Sequence, residues 1–190
     1  MNYLVIDTET NGLPQSYHLP VTDVTNWPRL ISAAWGLYTD EGRELSRQYL
    51  LVKPDGFRWN GIAQRIHGIT QERAEREGKP LIKVLEQLQL DIHKADAWVG
   101  HNIDLDFGVV GAEFVRMGNF GPANVWDLPT RPLHCTMDAS KHVTTNREPV
   151  RLDDLYRLLM GRPLKGMHDA ETDMLATVQC FFELKKRGYF

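Results

Sequence analysis

The chain has 190 residues, enough for one domain with a sizeable core, and its 42% hydrophobic and 25% charged composition is that of a soluble globular protein. A net charge of −3 excludes a global positive field that would draw in long nucleic acids by electrostatics alone, but not an enzyme of nucleic acid whose acidic metal ligands lower the formal charge. No window is apolar for long enough to span a bilayer, and the early acid Asp7 breaks any signal-peptide pattern, so a cytoplasmic protein with free thiols at Cys135 and Cys180 is expected.

Tyr3 to Thr10 is the first strand: Tyr3-Leu4-Val5-Ile6 runs straight into Asp7-Thr8-Glu9-Thr10, and Asn11-Gly12-Leu13-Pro14 ends it with turn chemistry. Gln15 to Pro28 is a long polar loop, of the length that often borders a site. Strands over Arg29–Thr39 and Glu44–Lys53, joined by Asp40-Glu41-Gly42-Arg43, form a hairpin. A short helix is expected within Trp59–His67, and another begins after Thr70 as its N-cap. Leu81, Val84, Leu85, Leu88 and Ile92 recur at helical spacing. Ala95–Gly100 is a short strand, followed by a helix opened by Asp104 or Asp106. Gly118–Pro132 is mostly loop, Leu133–Met137 a short strand, and Lys141–Pro149 a polar insertion. A helix over Arg151–Met160 turns Leu152, Leu155, Leu158 and Leu159 inward and stops at Gly161; the last helix runs from Ala170 to Lys186. This order is that of an α/β domain with a mixed central sheet flanked by helices.

Residues two apart in a strand point to one side, so Asp7 and Glu9, if still extended, face one point. Two carboxylates aimed together repel unless a cation lies between them, and a hard divalent ion such as Mg²⁺ or Mn²⁺ prefers such oxygens. Taken alone, the pair fits equally well a strand-ending acid beside a solvated one. Two further stretches carry chemistry: Gly100-His101-Asn102-Ile103-Asp104-Leu105-Asp106-Phe107, at a strand-to-helix junction, and Met167-His168-Asp169-Ala170-Glu171-Thr172-Asp173, opening the last helix. There Asp169 caps the helix, His168 lies just outside it, and Asp173 falls one turn in, able to face the sheet. An unperturbed histidine titrates near ~6.5, which suits a general base.

Asp7-x-Glu9, His101-Asn102-x-x-x-Asp106 and His168-x-x-x-x-Asp173, in this order and on these elements, resemble the three motifs of the DEDDh, or DnaQ-like, 3′–5′ exonucleases. That family includes the proofreading epsilon subunit of bacterial DNA polymerase III and ribonuclease T. The resemblance covers nearly the whole chain, residues 1–190 as a single exonuclease domain, and implies a ribonuclease H-like fold. It implies that Asp7, Glu9, Asp106 and Asp173 hold two Mg²⁺ or Mn²⁺ ions, that His168 takes a proton from the attacking water, and that nucleoside 5′-monophosphates leave from the 3′ end of single-stranded or frayed DNA. Spacing from His101-Asn102 favours Asp106 over Asp104.

The same resemblance maps contacts with the terminal nucleotide to Thr10, Gly12 and Leu13, with Leu13 as an apolar wedge. His67, in His67-Gly68-Ile69-Thr70, is a substrate contact or a helix-end histidine. Asn102 is a substrate-side candidate, although His101 and Asn102 together suit structural bonds between strand and helix. Trp59 is the best stacking candidate, because Trp35 and Trp98 lie in strands and suit the core. His18, His93, His134 and His142 are assigned to the surface. An exoribonuclease and a catalytically silent nucleic-acid-binding or assembly module are the rival readings. Because the chain stops at its last helix, a standalone enzyme is expected rather than the epsilon subunit. A free 3′ end is the implied partner, and no membrane is; a polymerase or other nucleic-acid-processing partner and a homodimer are compatible with the family.

Overall fold

The computed structural model describes residues 1–118, 131–166 and 169–190. Its sheet is built from β1 (Asn2–Thr10), β2 (Leu30–Thr39), β3 (Glu44–Leu51), β4 (Ala97–Gly100) and β5 (Leu133–Cys135), in the order β3-β2-β1-β4-β5. β1, β2 and β3 form an antiparallel meander, whereas β4 pairs parallel to β1 and β5 parallel to β4. Helices return the chain for the parallel strands: α1 (Gly61–His67), α2 (Gln71–Glu77) and α3 (Leu81–Ile92) before β4, and α4 (Ile103–Met117) after it. A helical turn, α5 (Thr136–Ala139), and a 3₁₀ turn (Ser140–His142) follow β5; α6 (Leu152–Met160) and α7 (Ala170–Lys186) complete the chain.

The pleat of β1 sorts the core into two layers. Leu4 and Ile6 face α3 and α4, where they pack with Trp35, Leu85, Leu88, Trp98 and Val109. Tyr3 and Val5 face the other way, onto Ala170, Met174 and Phe181 of α7. These side chains are almost fully buried, at roughly 1.5–3 kcal/mol for each large one, so a one-residue slip of β1 would exchange the layers and is strongly disfavoured. The same alternation continues into the acidic end of the strand and decides where each acid points.

The loop at residues 15–28 has no regular element but is firmly tied to α4. Glu113, wholly buried, accepts from the Arg29 guanidinium and from the Leu30 amide, both at 2.9 Å, and pairs with Arg116 at 3.2 Å. Arg116 in turn donates to the carbonyls of Val24, Trp27 and Pro28. Trp27 lies over Gly108, where any β-carbon would overlap its ring.

Three expectations are corrected. α4 opens at Ile103 with Asn102 as its N-cap, which places Asp104 and Asp106 in its first turn rather than at its first position. Leu158 is 51% exposed: α6 packs through Leu155 and Tyr156, with Leu152 and Leu159 partly buried against the same cluster, so Tyr156 rather than Leu158 completes the stripe. His134 is half-buried rather than on the surface: edge strand β5 lies under the C-terminal aromatics, its ring sits 5.8 Å from that of Phe181 and 5.2 Å from that of Phe190, and burial holds its pKa below the usual imidazole value. Residues 119–130 of the expected Gly118–Pro132 loop lie outside the described residues. Among the described residues no helix is long and apolar enough to cross a membrane.

Candidate active site

At the C-terminal end of β1 the odd face of the strand carries Asp7 and Glu9 toward α7, where Tyr3 and Val5 already point. Asp169 caps α7 by accepting from the Thr172 amide at 3.0 Å, and Asp173 follows one turn later. Carboxylate oxygens of Asp7, Glu9 and Asp173, one from each, all lie within 4.8 Å of one another, and all three residues are half-buried. The β1–β2 register shifts between Glu9 and Thr10, a bulge that turns the chain out of the sheet directly after the second acid.

The even face carries Thr8 toward α4. Its hydroxyl donates to Asp106 Oδ1 at 2.7 Å, and Asp106 is only 4% exposed. Asp104, on the outer side of the same helix, is exposed, so burial selects Asp106 of the two candidates. Asp106 is therefore beside the cluster but held by Thr8, not one of the three acids that converge. Thr8→Val keeps the shape and removes the donor; it is expected to cost about 1–3 kcal/mol at pH 8, the penalty of an unmatched buried acceptor, measured by urea unfolding.

The electrostatics agree with this crowding. Burial, then the charges of Asp106, Asp173 and Glu9, push the Asp7 carboxyl well above the usual carboxylate range. Burial first and Asp173 next raise Glu9 to about 8. Burial raises Asp106 to about 7, against the lowering effect of the Thr8 hydrogen bond. Asp7, Glu9 and Asp173 form an all-oxygen donor set that fits a hard divalent cation, whose charge would offset the repulsion that holds Asp7 and Glu9 up.

Beside the cluster lies a cavity of about 390 Å³, lined by Thr8, Glu9, Thr10, Gly12 and Leu13 on one side and by Asn60, Ile62, Ala63, Ile66 and His67 on the other, with Leu105 between. Leu13 is 73% exposed, and Ile62 and Ile66, one helical turn apart, are likewise exposed. Such an uncovered, largely apolar lining with a few polar groups suits a flat heteroaromatic ring. The His67 ring is buried, and its Nδ1 accepts from the Ile69 amide at 3.0 Å. The neutral ring therefore carries its proton on Nε2, as a donor. Burial lowers its pKa, which favours that neutral form.

Of the remaining candidates, Thr10 donates to the Gly12 carbonyl at 2.6 Å and so shapes the turn as well as lining the cavity. Gly12 adopts φ +146°, a conformation side-chain-bearing residues rarely take. Trp59 lies outside that cavity, half-buried, its indole N–H donating to Gln64 at 2.7 Å and its ring stacked near Phe57. Asn102 is left-handed (φ 73°) and makes no side-chain cap. His101 is a brace: the Val150 carbonyl can only accept, so Nε2 donates to it at 3.1 Å, while Nδ1 lies 3.0 Å from the Thr136 hydroxyl, which also reaches the Gly100 carbonyl at 3.2 Å. Burial depresses its pKa to about 4. His168 lies outside the described residues, immediately before the cap residue Asp169. Sequence reasoning missed Thr8, Asn60, Ile62, Ile66 and Leu105; the exposed Ile62/Ile66 pair on a short helix was the available signal for the cavity wall.

A family model described as exonuclease matches residues 4–181. Among curated proteins, none matches the sequence significantly. A structure of E. coli Exonuclease I in complex with a dT13 oligonucleotide is similar with a TM-score of 0.76 at 20% identity, covering 97% of this chain and 41% of that chain. The zinc-bound form of the E. coli enzyme with single-stranded DNA gives 0.76 at 20% identity, over 98% of this chain and 40% of that one. A complex of Exonuclease I with SSB-Ct gives 0.74 at 20% identity, over 98% and 41%. The present chain thus spans 41% of the length of the first of these. At this identity the likeness carries the fold, a ribonuclease H-like exonuclease fold.

Proposed function

We propose, from the premise that the chain belongs to the exonuclease family, that it hydrolyses single-stranded or frayed DNA from the 3′ end and releases nucleoside 5′-monophosphates. The observation that carries this reading is the convergence of Asp7, Glu9 and Asp173 within 4.8 Å beside an apolar-rimmed cavity of nucleotide size. Asp7, Glu9 and Asp173 would hold the divalent cations, two Mg²⁺ or Mn²⁺ by analogy with the family, with Asp106 as the fourth acid. Such ions supply positive charge against an anionic phosphodiester and acidify water at neutral pH.

The chain's own groups do the rest. Leu13, Ile62 and Ile66 give the terminal base an apolar seat that tolerates any sequence. The His67 Nε2–H, on a residue that lines the cavity, is a donor available to a nucleotide, which has many acceptors. Thr8 keeps Asp106 oriented. His168, one residue ahead of the α7 cap, is assigned the proton from the attacking water, and the buried neutral His101 is assigned a structural task instead. DNA is chosen over RNA because the similar Exonuclease I structures hold dT13 or dA16.

End-labelled DNA and RNA oligomers incubated with Mg²⁺, Mn²⁺ or EDTA test this reading. A metal-dependent ladder shortened from the 3′ end, faster on DNA, is expected. A faster RNA ladder would move the assignment to an exoribonuclease, and binding without hydrolysis in either metal would replace it with a binding module.

A further inference from the structure

The two walls of the cavity come from segments nearly fifty positions apart, and two asparagines join them. Asn11, in the turn after β1, accepts the Asn60 backbone N–H on Oδ1 at 2.8 Å and donates from Nδ2 to the Arg58 carbonyl at 2.9 Å. Asn60 donates from Nδ2 to the Asn11 carbonyl at 3.2 Å, while its Oδ1 caps α1 by accepting from Ile62 at 2.9 Å and Ala63 at 3.3 Å. Each side chain therefore uses both ends of its amide, and each bonds the backbone of the opposite segment. At Gly12, next to Asn11, a β-carbon would lie 3.5 Å from the Asn60 side-chain nitrogen Nδ2, so the two segments are in van der Waals reach at this point.

We propose that Asn11 and Asn60 are positioning residues, a reciprocal latch that fixes the distance between the Gly12–Leu13 wall and the Ile62–Ile66 wall and so sets how tightly the terminal nucleotide is gripped. The inference rests on the exonuclease reading above. Neither side chain needs to touch a reacting atom. The latch acts on the walls, whereas the acids sit on β1 and α7, so its loss should weaken substrate binding and leave the acidic cluster as it is.

Asn60→Asp separates the latch from the cap. A carboxylate still accepts from the Ile62 and Ala63 amides and suits a helix N-terminus, but it cannot donate to the Asn11 carbonyl and repels it. Asn11→Ala removes the other half. Each variant is expected to raise KM for a DNA oligomer by about tenfold, the scale of one or two lost hydrogen bonds. The change in kcat should stay within about twofold, because uniform binding is what is lost. The double variant should lose more than either single one but less than the product of their effects, since the two halves are separate bonds that hold the same distance between the walls. The thermal shift produced by Mn²⁺ should be unchanged. Folded, active variants with wild-type KM would overturn the latch, and so would loss of the Mn²⁺ shift, which would place the effect on the acids. If the wild-type protein hydrolyses nothing, the exonuclease reading falls, and the latch is read from calorimetric affinity for thymidine 5′-monophosphate: a comparable loss in Asn60→Asp supports it and equal affinity overturns it. No binding by the wild type would overturn both.

Discussion

Asp7→Asn is expected to abolish hydrolysis and at the same time to raise the melting temperature of the metal-free protein. The two effects have one cause. Asp7, Glu9 and Asp173 crowd their oxygens within 4.8 Å, and burial together with the neighbouring charges pushes the Asp7 carboxyl far above its ordinary range. Asparagine is nearly the same shape and carries no charge, so the metal-free site loses a source of repulsion. A divalent cation loses a charged ligand. On the proposed function, several kcal/mol of charge stabilisation at the phosphodiester would depend on that ion, and at about 1.4 kcal/mol per tenfold the rate should fall by roughly 10³-fold or more. Scanning calorimetry with and without Mn²⁺, beside the oligomer assay, gives both readings. The wild type should gain stability with Mn²⁺, by about 2.7 kcal/mol at one hundred times Kd, and the variant little. A variant that melts lower than wild type without metal, or that still cuts DNA at a wild-type rate, would contradict the view of these acids as a strained cation site.

What could be read from the sequence was whatever lies within one element. The run Tyr3–Ile6 specified a strand, and its period of two specified that Asp7 and Glu9 share a side; the observed β1 continues this alternation through both layers of the core. The cap at Asp169 and the start of α7 at Ala170 followed from local chemistry in the same way. Long-range pairing was not legible. Nothing local distinguishes Thr8 from any strand threonine, and its role emerges only where α4 brings Asp106 within 2.7 Å of it. Asn11 is a turn residue and Asn60 a helix cap, yet Asn11 Oδ1 also accepts from the Asn60 backbone and Asn60 Nδ2 donates to the Asn11 carbonyl. The burial of His134 is not legible locally, because its covering, Phe181 and Phe190, comes from the far end of the chain. The exposure of Leu158 is not legible either, because periodicity gives the direction of an apolar stripe but not its edge, which Tyr156 fills instead.

Between pH 6.5 and 8 the metal-free protein is expected to lose thermal stability as pH rises, and saturating Mg²⁺ or Mn²⁺ should remove that loss. Glu9 is raised from 4.5 to about 8 and Asp106 from 3.8 to about 7, with Asp7 also raised well above its ordinary value. For a carboxyl whose folded pKa exceeds its unfolded one, the folded state holds a proton that the unfolded state has released. Its contribution is complete below the unfolded pKa and disappears as pH climbs through the folded value. Buried histidines act in the opposite direction, but lower down. His101 is depressed from 6.5 to about 4, and His67 and His134 are depressed as well, so their neutral forms favour folding increasingly as pH rises toward 6.5 and add nothing above it. The two families of groups cancel in part at pH 5–6, which leaves the range above 6.5 to the acids alone. One proton held over one pH unit is worth about 1.4 kcal/mol, and a kcal/mol moves Tm by about 2–4 °C at this chain length, so a fall of several degrees is in reach of a melting curve. A bound cation needs the acids ionised, so it converts the same protons into released ones, and the stabilisation it gives should grow across this window. Parallel melting curves with and without metal that stay equally spaced from pH 6.5 to 8 would mean that the cation binds elsewhere, and that the three acids at the end of β1 and the start of α7 do not form its site.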